Sequence, residues 1–503
     1  MVPRFKEKSA LIADEHKYMI LQFFKNARLL AAAEIILKLK ALILIPLLTR
    51  HFGAVNYGAW TQVSVLISTM APLIFLGTSQ SIIRFLPGRS LVEQKRNFSA
   101  WMVMLLTISL IICGSLLIWK RDIAILFFGQ ANEYEILLPL AAATLFVNMI
   151  RNAAAYWYQV LNNAKMFSVI VVSQALVGLF AVAAILIRNE GVYELVIYTL
   201  VGDIIFILWI LVRISRDYGW AWPDFSIVPG LLKYGLPLFP SGYAQWGLNS
   251  MDRLFLVSYA TLADVGVYGL AYALGYLVIP LLVRPVRAMY PSLAAELYNK
   301  GDLRTLQRLF NHSAGTSLAL SVPAAVGLSV LGVPILTFIA TDDFIRGAPL
   351  VGLIALGYIF NIIADYYDIS LGLVHRQYWS TVSIVVACGL NLVLNMILIP
   401  KYLIWGAAIA TNLSFLTQLI LSFLFAHRYN ILITKFDFPV KVFLASILMG
   451  ILLLGFKTYL FDGRTVAPLP EIIILGFIGV VSYMVCLYVF KIIYQKRIFH
   501  FFI

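Results

Sequence analysis

The stretch KYGLPLFPSGYAQWGLNSMDRLFLVSYATLADVGVYGLAYALGY, Lys233 to Tyr276, decides how this chain reads. It starts as an apolar helix long enough to cross a bilayer, but Gly235, Pro237, Pro240 and Gly242 interrupt its first turns. Prolines that break a membrane helix are tolerated where the freed backbone is buried in protein or lines a cavity. Ser241, Gln245, Asn249 and Asp252 follow at i, i+4, i+8 and i+11, which makes one polar stripe along a helix. Arg253 sits beside the stripe, still inside the apolar run. A charge at membrane depth costs roughly 2.5–3.5 kcal/mol on insertion scales, so it should face protein or a wet cavity. The stretch therefore reads as the first helix of a second half and as one wall of a polar cleft.

The composition agrees with a membrane setting. Of 503 residues, 61% are hydrophobic and only 12% charged, with mean hydropathy +0.89; soluble domains carry about 25% charge. Apolar runs of about twenty residues recur along nearly the whole length, and ten-residue alternation of the barrel kind is absent. The fold class is thus an all-α polytopic membrane protein. About fourteen transmembrane helices are expected, near 28–50, 57–83, 98–119, 136–161, 167–187, 194–215, 233–258, 266–290, 311–340, 349–373, 379–400, 405–427, 440–461 and 471–491.

The net charge of +14 sits in short loops, where it orients helices, so nucleic acid is not an expected partner. Basic residues gather on the side of the N-terminus (Arg84, Arg89, Lys95, Arg96, Arg216, Lys300, Arg304, Arg308, Arg428), which places both termini in the cytoplasm. The N-terminal thirty residues lack a compact apolar core with a cleavage site and read as a cytoplasmic surface segment. Cys113, Cys388 and Cys486 fall inside spans with no metal-ligand spacing and read as small core residues. Trp101, Trp119, Trp157, Trp209 and Trp405 read as an interfacial aromatic belt.

A repeat recurs at an offset of about 211 to 212 residues: Tyr57-Gly58 against Tyr268-Gly269, LNNAKMF (161–167) against LVHRQYW (373–379), and Thr199 and Arg216 against Thr411 and Arg428. An offset of six spans preserves orientation, so two parallel six-helix pseudo-repeats around a central cavity are expected, plus two C-terminal helices. The expected divisions are 1–215 (N-terminal lobe), 216–232 (cytoplasmic linker), 233–430 (C-terminal lobe) and 431–503 (two extra spans and tail). GDLRTLQRLF (301–310) reads as an interfacial cytoplasmic helix capped by Asp302.

Charged and polar residues inside spans are functional candidates by default. Glu34 and Lys38 share a face of the first span, with Lys40 nearby; a neutralised structural pair is the competing reading. Arg151, with Asn148 and Asn152, lies well inside the fourth span, either stapling helices or meeting an anion, for which planar bidentate donors are suited. Asn361, Asp365 and Asp368 share a face of the tenth span with Tyr358; two carboxylates three apart need a proton, a cation or arginine counter-ions. Arg284 and Arg287 flank Pro285, where snorkelling competes with ligand contact. No catalytic constellation or Gly-rich phosphate loop stands out, so the chain does not read as an enzyme and no cofactor is expected.

The segments LLTRHFGAVNYGAW (47–60), FLGTSQSIIRFLP (75–87), LKYGLPLFPSGYAQWGLNSMDRLFL (232–256) with GVYGLAYAL (266–274), and AELYNKGDLRTLQRLF (295–310) together resemble a family: the polysaccharide, O-antigen and capsule flippases of the multidrug/oligosaccharidyl-lipid/polysaccharide exporter superfamily. The resemblance covers most of the chain, and Asp252-Arg253 matches the family's seventh-span motif. It implies movement of an undecaprenyl-diphosphate-linked oligosaccharide from the cytoplasmic to the outer face of a bacterial inner membrane by alternating access. The implied partners are that lipid, the membrane, and polymerases and glycosyltransferases of the same pathway. Candidate substrate contacts are Lys38, Arg151, Asn152, Gln245, Asn249, Asp252, Arg253, Arg284 and Arg287. Candidate H⁺ or Na⁺ coupling residues are Glu34, Asn361, Asp365 and Asp368. The competing functions are a cation-coupled multidrug exporter of the same superfamily, a membrane glycosyltransferase or polymerase acting on lipid-linked sugars, and a lipid scramblase.

Overall fold

The placement of glycine and proline decides where the long apolar runs break. The computed structural model describes residues 3–129, 134–429, 437–461 and 467–490, with the side chains of 3–28, 30–32, 34, 35, 38 and 437 outside the description. Among the described residues every regular element is helical: α1 (Pro3–Phe75), α2 (Thr78–Phe85), α3 (Leu91–Ile118), α4 (Lys120–Phe128), α5 (Leu137–Val160), α6 (Ala164–Arg188), α7 (Val192–Asp217), α8 (Val228–Gly235), α9 (Phe239–Tyr259), α10 (Leu262–Ala288), α11 (Tyr290–Asn299), α12 (Leu303–Ile339), α13 (Ala348–Leu373), α14 (Tyr378–Arg428), α15 (Asp437–Phe461) and α16 (Pro468–Val489). Among the described residues eleven helical stretches are long and apolar enough to cross a membrane. Two of them are divided by a non-helical residue, Gly53 in α1 and Leu403 in α14. Those two divisions, with the more polar α9, make up the fourteen expected spans.

The expected interruption of the seventh span is real. α8 stops at Gly235, Leu236–Leu238 form a 3₁₀ turn, and α9 restarts at Phe239. Pro237 and Pro240 each lack the N–H that an unbroken helix needs. Elsewhere short polar side chains begin helices: Ser90 and Glu93 form a capping box on α3, and Thr261 and Asp264 one on α10.

The chain packs as two compact units. The first comprises Met1–Leu44, Ile67–Lys120 and Glu135–Phe239; the second comprises Ile45–Leu66, Arg121–Tyr134 and Pro240–Ile503. In the first unit α2 and α8 meet backbone to backbone. Gly77 has φ +72°, and a Cβ there would lie 2.2 Å from the Gly235 carbonyl oxygen, so only glycine suits both the left-handed turn and the contact. The Ser81 hydroxyl donates to the Leu231 carbonyl (2.8 Å), and Arg84 stacks on Tyr234 (4.7 Å). In the second unit α15 and α16 pack on α12 through Val330, Ala445, Met449, Leu453, Leu475 and Tyr483. The Tyr483 hydroxyl donates to the Ala319 carbonyl (2.9 Å).

Two expectations fail. Trp101 and Trp157 are buried at 0% and 1% exposure and build an aromatic core with Phe98, whereas Trp119, Trp209 and Trp405 remain exposed as a belt requires. The Trp101 indole N–H donates to Thr78 Oγ1 (2.8 Å), which satisfies the polar handle that would otherwise seek the interface. The 301–310 segment is not a separate surface helix either. Asp302 does cap (Thr305 N–H to Oδ1, 3.0 Å), but the helix it starts is α12 itself, and Leu306 and Phe310 are fully buried.

Candidate functional site

Each unit holds its own cluster of charges at membrane depth. In the first, α5 turns Arg151 inward and α7 offers Asp203. Arg151 Nη1 lies 2.5 Å from Asp203 Oδ1, and the two side chains are 5% and 4% exposed. Arg151 Nη2 also donates to Asn148 Oδ1, one turn earlier on α5. Lys40 of α1 interacts electrostatically with both charges, and its ammonium donates to the Gln174 carbonyl on α6 (3.3 Å). Gly178 on α6 makes room for it: a Cβ there would come 2.6 Å from Lys40 Nζ. The buried Arg151–Asp203 pair thus has a second basic side chain, the half-buried Lys40, in its electrostatic neighbourhood.

Asp203 escaped the sequence reading. Its signal was a lone acid within the apolar run LVIYTLVGDIIFIL (195–208). The Glu34 and Lys38 side chains lie outside the described residues. Asn152, next along from Arg151, is exposed and does not join the cluster.

In the second unit the stripe on α9 meets tyrosines of α10 and α13. Asp252, 1% exposed, accepts from the Tyr268 hydroxyl, from the Arg253 backbone N–H (2.8 Å) and, at 3.5 Å, from Thr411 Oγ1. The Arg253 guanidinium lies 4.2 Å from the Tyr272 ring centre and 5.7 Å from that of Tyr268. Its Nη1 donates to the Asn249 carbonyl (2.6 Å), while Nε has no hydrogen-bond partner among the described residues. The Tyr272 and Tyr358 hydroxyls, 2.9 Å apart, both reach Asn249 Oδ1 at 3.1 Å. Asn249 Nδ2 donates to the Gln245 carbonyl (2.7 Å), and Gln62 Nε2 to the Arg253 carbonyl (3.1 Å). Asn249, Asp252 and Arg253 therefore come together within an aromatic cage that the pattern does not name, with Gln245 entering through its backbone carbonyl.

Farther along α10 and α13, Arg287 and Asp365 form an ion pair (2.5 Å), with side chains 42% and 24% exposed. Of the three arrangements open to the tenth-span carboxylates, Asp365 has an arginine counter-ion. Asp368 instead lies against Ser422, Ser380 and Gln418, and Asn361 Nδ2 donates to Gln418 Oε1 (3.3 Å). Arg284 is on an exposed face of α10. An apolar groove of about 570 Å³ runs between α10, α12, α15 and α16, lined by Leu282, Leu320, Leu331, Leu453 and Val480 among others.

The profile of the polysaccharide biosynthesis protein family matches residues 47–349, which span both units. The chain belongs to that family. Among its relatives, a probable low-salt glycan biosynthesis flippase of Haloferax volcanii is 24% identical over 269 residues, 53% of this chain and 56% of the relative. The lipid II flippase MurJ of Bacillus subtilis is 29% identical over 210 residues, 38% of this chain and 37% of the relative. The chain thus matches at most about half the length of these relatives. In fold it is similar to a lipid II flippase MurJ structure in an inward closed conformation (TM-score 0.77, 18% identity, covering 92% of this chain and 98% of the other). A multidrug resistance MATE transporter of the MOP superfamily in an inward-facing conformation is also similar (TM-score 0.59, 16% identity, 78% and 98%). These likenesses show the all-α polytopic fold.

Proposed function

We propose that the protein is a flippase that carries an undecaprenyl-diphosphate-linked oligosaccharide across a bacterial inner membrane by alternating access, with both termini in the cytoplasm. The observation that carries this reading is the buried Arg151–Asp203 pair of the first unit, with Lys40 as a second basic side chain nearby. A diphosphate is the kind of anion such a cluster attracts, and guanidinium forks bind its oxygens in pairs. A carrier of cationic drugs would need the opposite imbalance. The named flippase relatives act in glycan and lipid II handling, which supports a lipid-linked glycan here. The groove between α10, α12, α15 and α16 offers a polyprenyl chain an apolar resting place.

On this reading Lys38, Arg151, Asn152, Gln245, Asn249, Asp252, Arg253, Arg284 and Arg287 are the substrate-contact set, with Lys40 added by its position. Asn361, Asp365 and Asp368, with Glu34, are the candidates for H⁺ or Na⁺ coupling. Polymerases and glycosyltransferases of the same pathway are the expected working partners.

The deciding experiment reconstitutes the purified protein in liposomes with a labelled polyprenyl-diphosphate oligosaccharide and follows headgroup accessibility, with and without an ion gradient. Protein-dependent translocation, lost in a folded Arg151→Lys variant, is the expected result. Labelled lipid that stays put while cationic dyes are extruded would move the protein to the drug exporters, and a new glycosidic product would make it an enzyme.

A further inference from the structure

A second apolar cleft of about 570 Å³ lies elsewhere in the second unit, between α12, α13, the last turns of α14 and the start of α15. Val322, Leu356, Ile363, Phe423, Val440 and Leu444 line it. Tyr367 and Phe423 close one side edge to face, ring centres 5.5 Å apart. Here α15 touches α12 through Phe438, which lies against Gly315, and the apolar space opens beside that contact. A space so apolar excludes water. At roughly 30 Å³ per water-sized group it has room for about twenty such groups, the scale of one fatty-acyl chain and well short of a whole long polyprenyl chain.

The rim of the cleft is basic. His427, stacked on the cleft residue Phe423 (5.9 Å, 16°), and Arg428 are both exposed on the last turn of α14. Lys441 directly follows the cleft residue Val440. Arg376 stacks on Tyr429 at the same helix end (5.5 Å). Basic pockets between membrane helices suit anionic lipid headgroups.

We propose that this cleft is the seat of a resident anionic glycerophospholipid, one acyl chain filling the space under α15 and the phosphate meeting Arg428 and Lys441. The lipid completes the packing of α15 on the bundle, and it is distinct from any transported glycolipid.

The test is native mass spectrometry of the full chain, delipidated in detergent and titrated with dioleoyl-phosphatidylglycerol or dioleoyl-phosphatidylethanolamine. One tight phosphatidylglycerol adduct is expected, at a concentration lower than for the zwitterionic lipid by on the order of tenfold, the scale set by two basic side chains. Ile363→Trp, inside the cleft, and Val440→Trp, at its exposed mouth where folding is least at risk, should remove the adduct. Arg428→Gln with Lys441→Gln should keep an adduct but erase the headgroup preference. Equal binding of both lipids by the wild type, or retention of the adduct in monodisperse Val440→Trp protein, would overturn the proposal. So would displacement of phosphatidylglycerol by stoichiometric polyprenyl phosphate, which would assign the cleft to the transported lipid. Because the readout is binding, failure of the flippase reading in liposomes leaves this result unaffected.

Discussion

Arg151 and Asp203, 52 residues apart, meet at 2.5 Å with almost no solvent contact. Removing one partner of a buried pair strands the other charge, a loss of roughly 3–5 kcal/mol, whereas replacing both by apolar groups of similar size is often neutral. Arg151→Met and Asp203→Leu are each expected to lower the melting temperature in detergent sharply, and the double variant to recover most of the loss. Transport should stay absent in the double variant. Recovery of both stability and transport would reduce the pair to a staple between α5 and α7 and remove the anion-binding role.

The α2–α8 contact tests the backbone argument. Gly77→Ala puts a methyl where the Gly235 carbonyl already lies and forces a left-handed φ on alanine. Left-handed strain alone is about 1–2 kcal/mol, and the clash adds to it. Gly114 and Gly230 face open space and have no such turn, so alanine there should be neutral or slightly stabilising. Equal melting temperatures for Gly77→Ala and Gly114→Ala would mean that α2 and α8 do not approach this closely.

Outside the membrane, Asp302 accepts the Thr305 side-chain and backbone hydrogen bonds at the start of α12, which hold its carboxyl below the usual aspartate range. A carboxylate whose pKa is depressed on folding stabilises above its unfolded value, near 3.9, and loses that contribution as pH falls through the lower folded value. Asp302→Ala should therefore melt below the wild type at neutral pH, with the gap narrowing as pH drops below about 4. A gap that widens on acidification would contradict the cap.

Much of this is legible in the sequence alone. Period and run length place the spans, and the i, i+4, i+8, i+11 stripe on α9 correctly gathers Asn249 and Asp252, because helix geometry is local. What local geometry cannot supply is the partner on another helix. Asp203 looks like a stray acid until α5 and α7 pack. Lys40, two residues from the Lys38 singled out in the sequence, is a lysine seen at the cluster only once α1 and α6 pack. Trp101 and Trp157 have the composition of a belt but find core partners, Thr78 and Phe98, that only folding brings near.

The Arg287–Asp365 pair separates charge balance from ligand contact. Both side chains are partly exposed, so the pair itself is worth little stability, about 0–1 kcal/mol. Arg287→Asp places three carboxylates together with Asp365 and Asp368, and Asp365→Arg places three guanidiniums together with Arg284 and Arg287. Like charges held close repel, so either single variant should lose translocation while melting within a few degrees of the wild type. The exchanged pair, Arg287→Asp with Asp365→Arg, restores neutrality but moves the guanidinium from α10 to α13. Transport restored by the exchange means that the pair serves as a balanced ionic contact and that neither group must touch a ligand from its own helix. Transport still absent in a well-folded exchanged variant means that position matters beyond charge, as expected if Arg287 holds a phosphate or Asp365 a coupling ion. Asp365→Asn then distinguishes those two: it frees Arg287 without adding charge, so translocation that persists but no longer responds to an imposed ion gradient assigns the coupling role to Asp365.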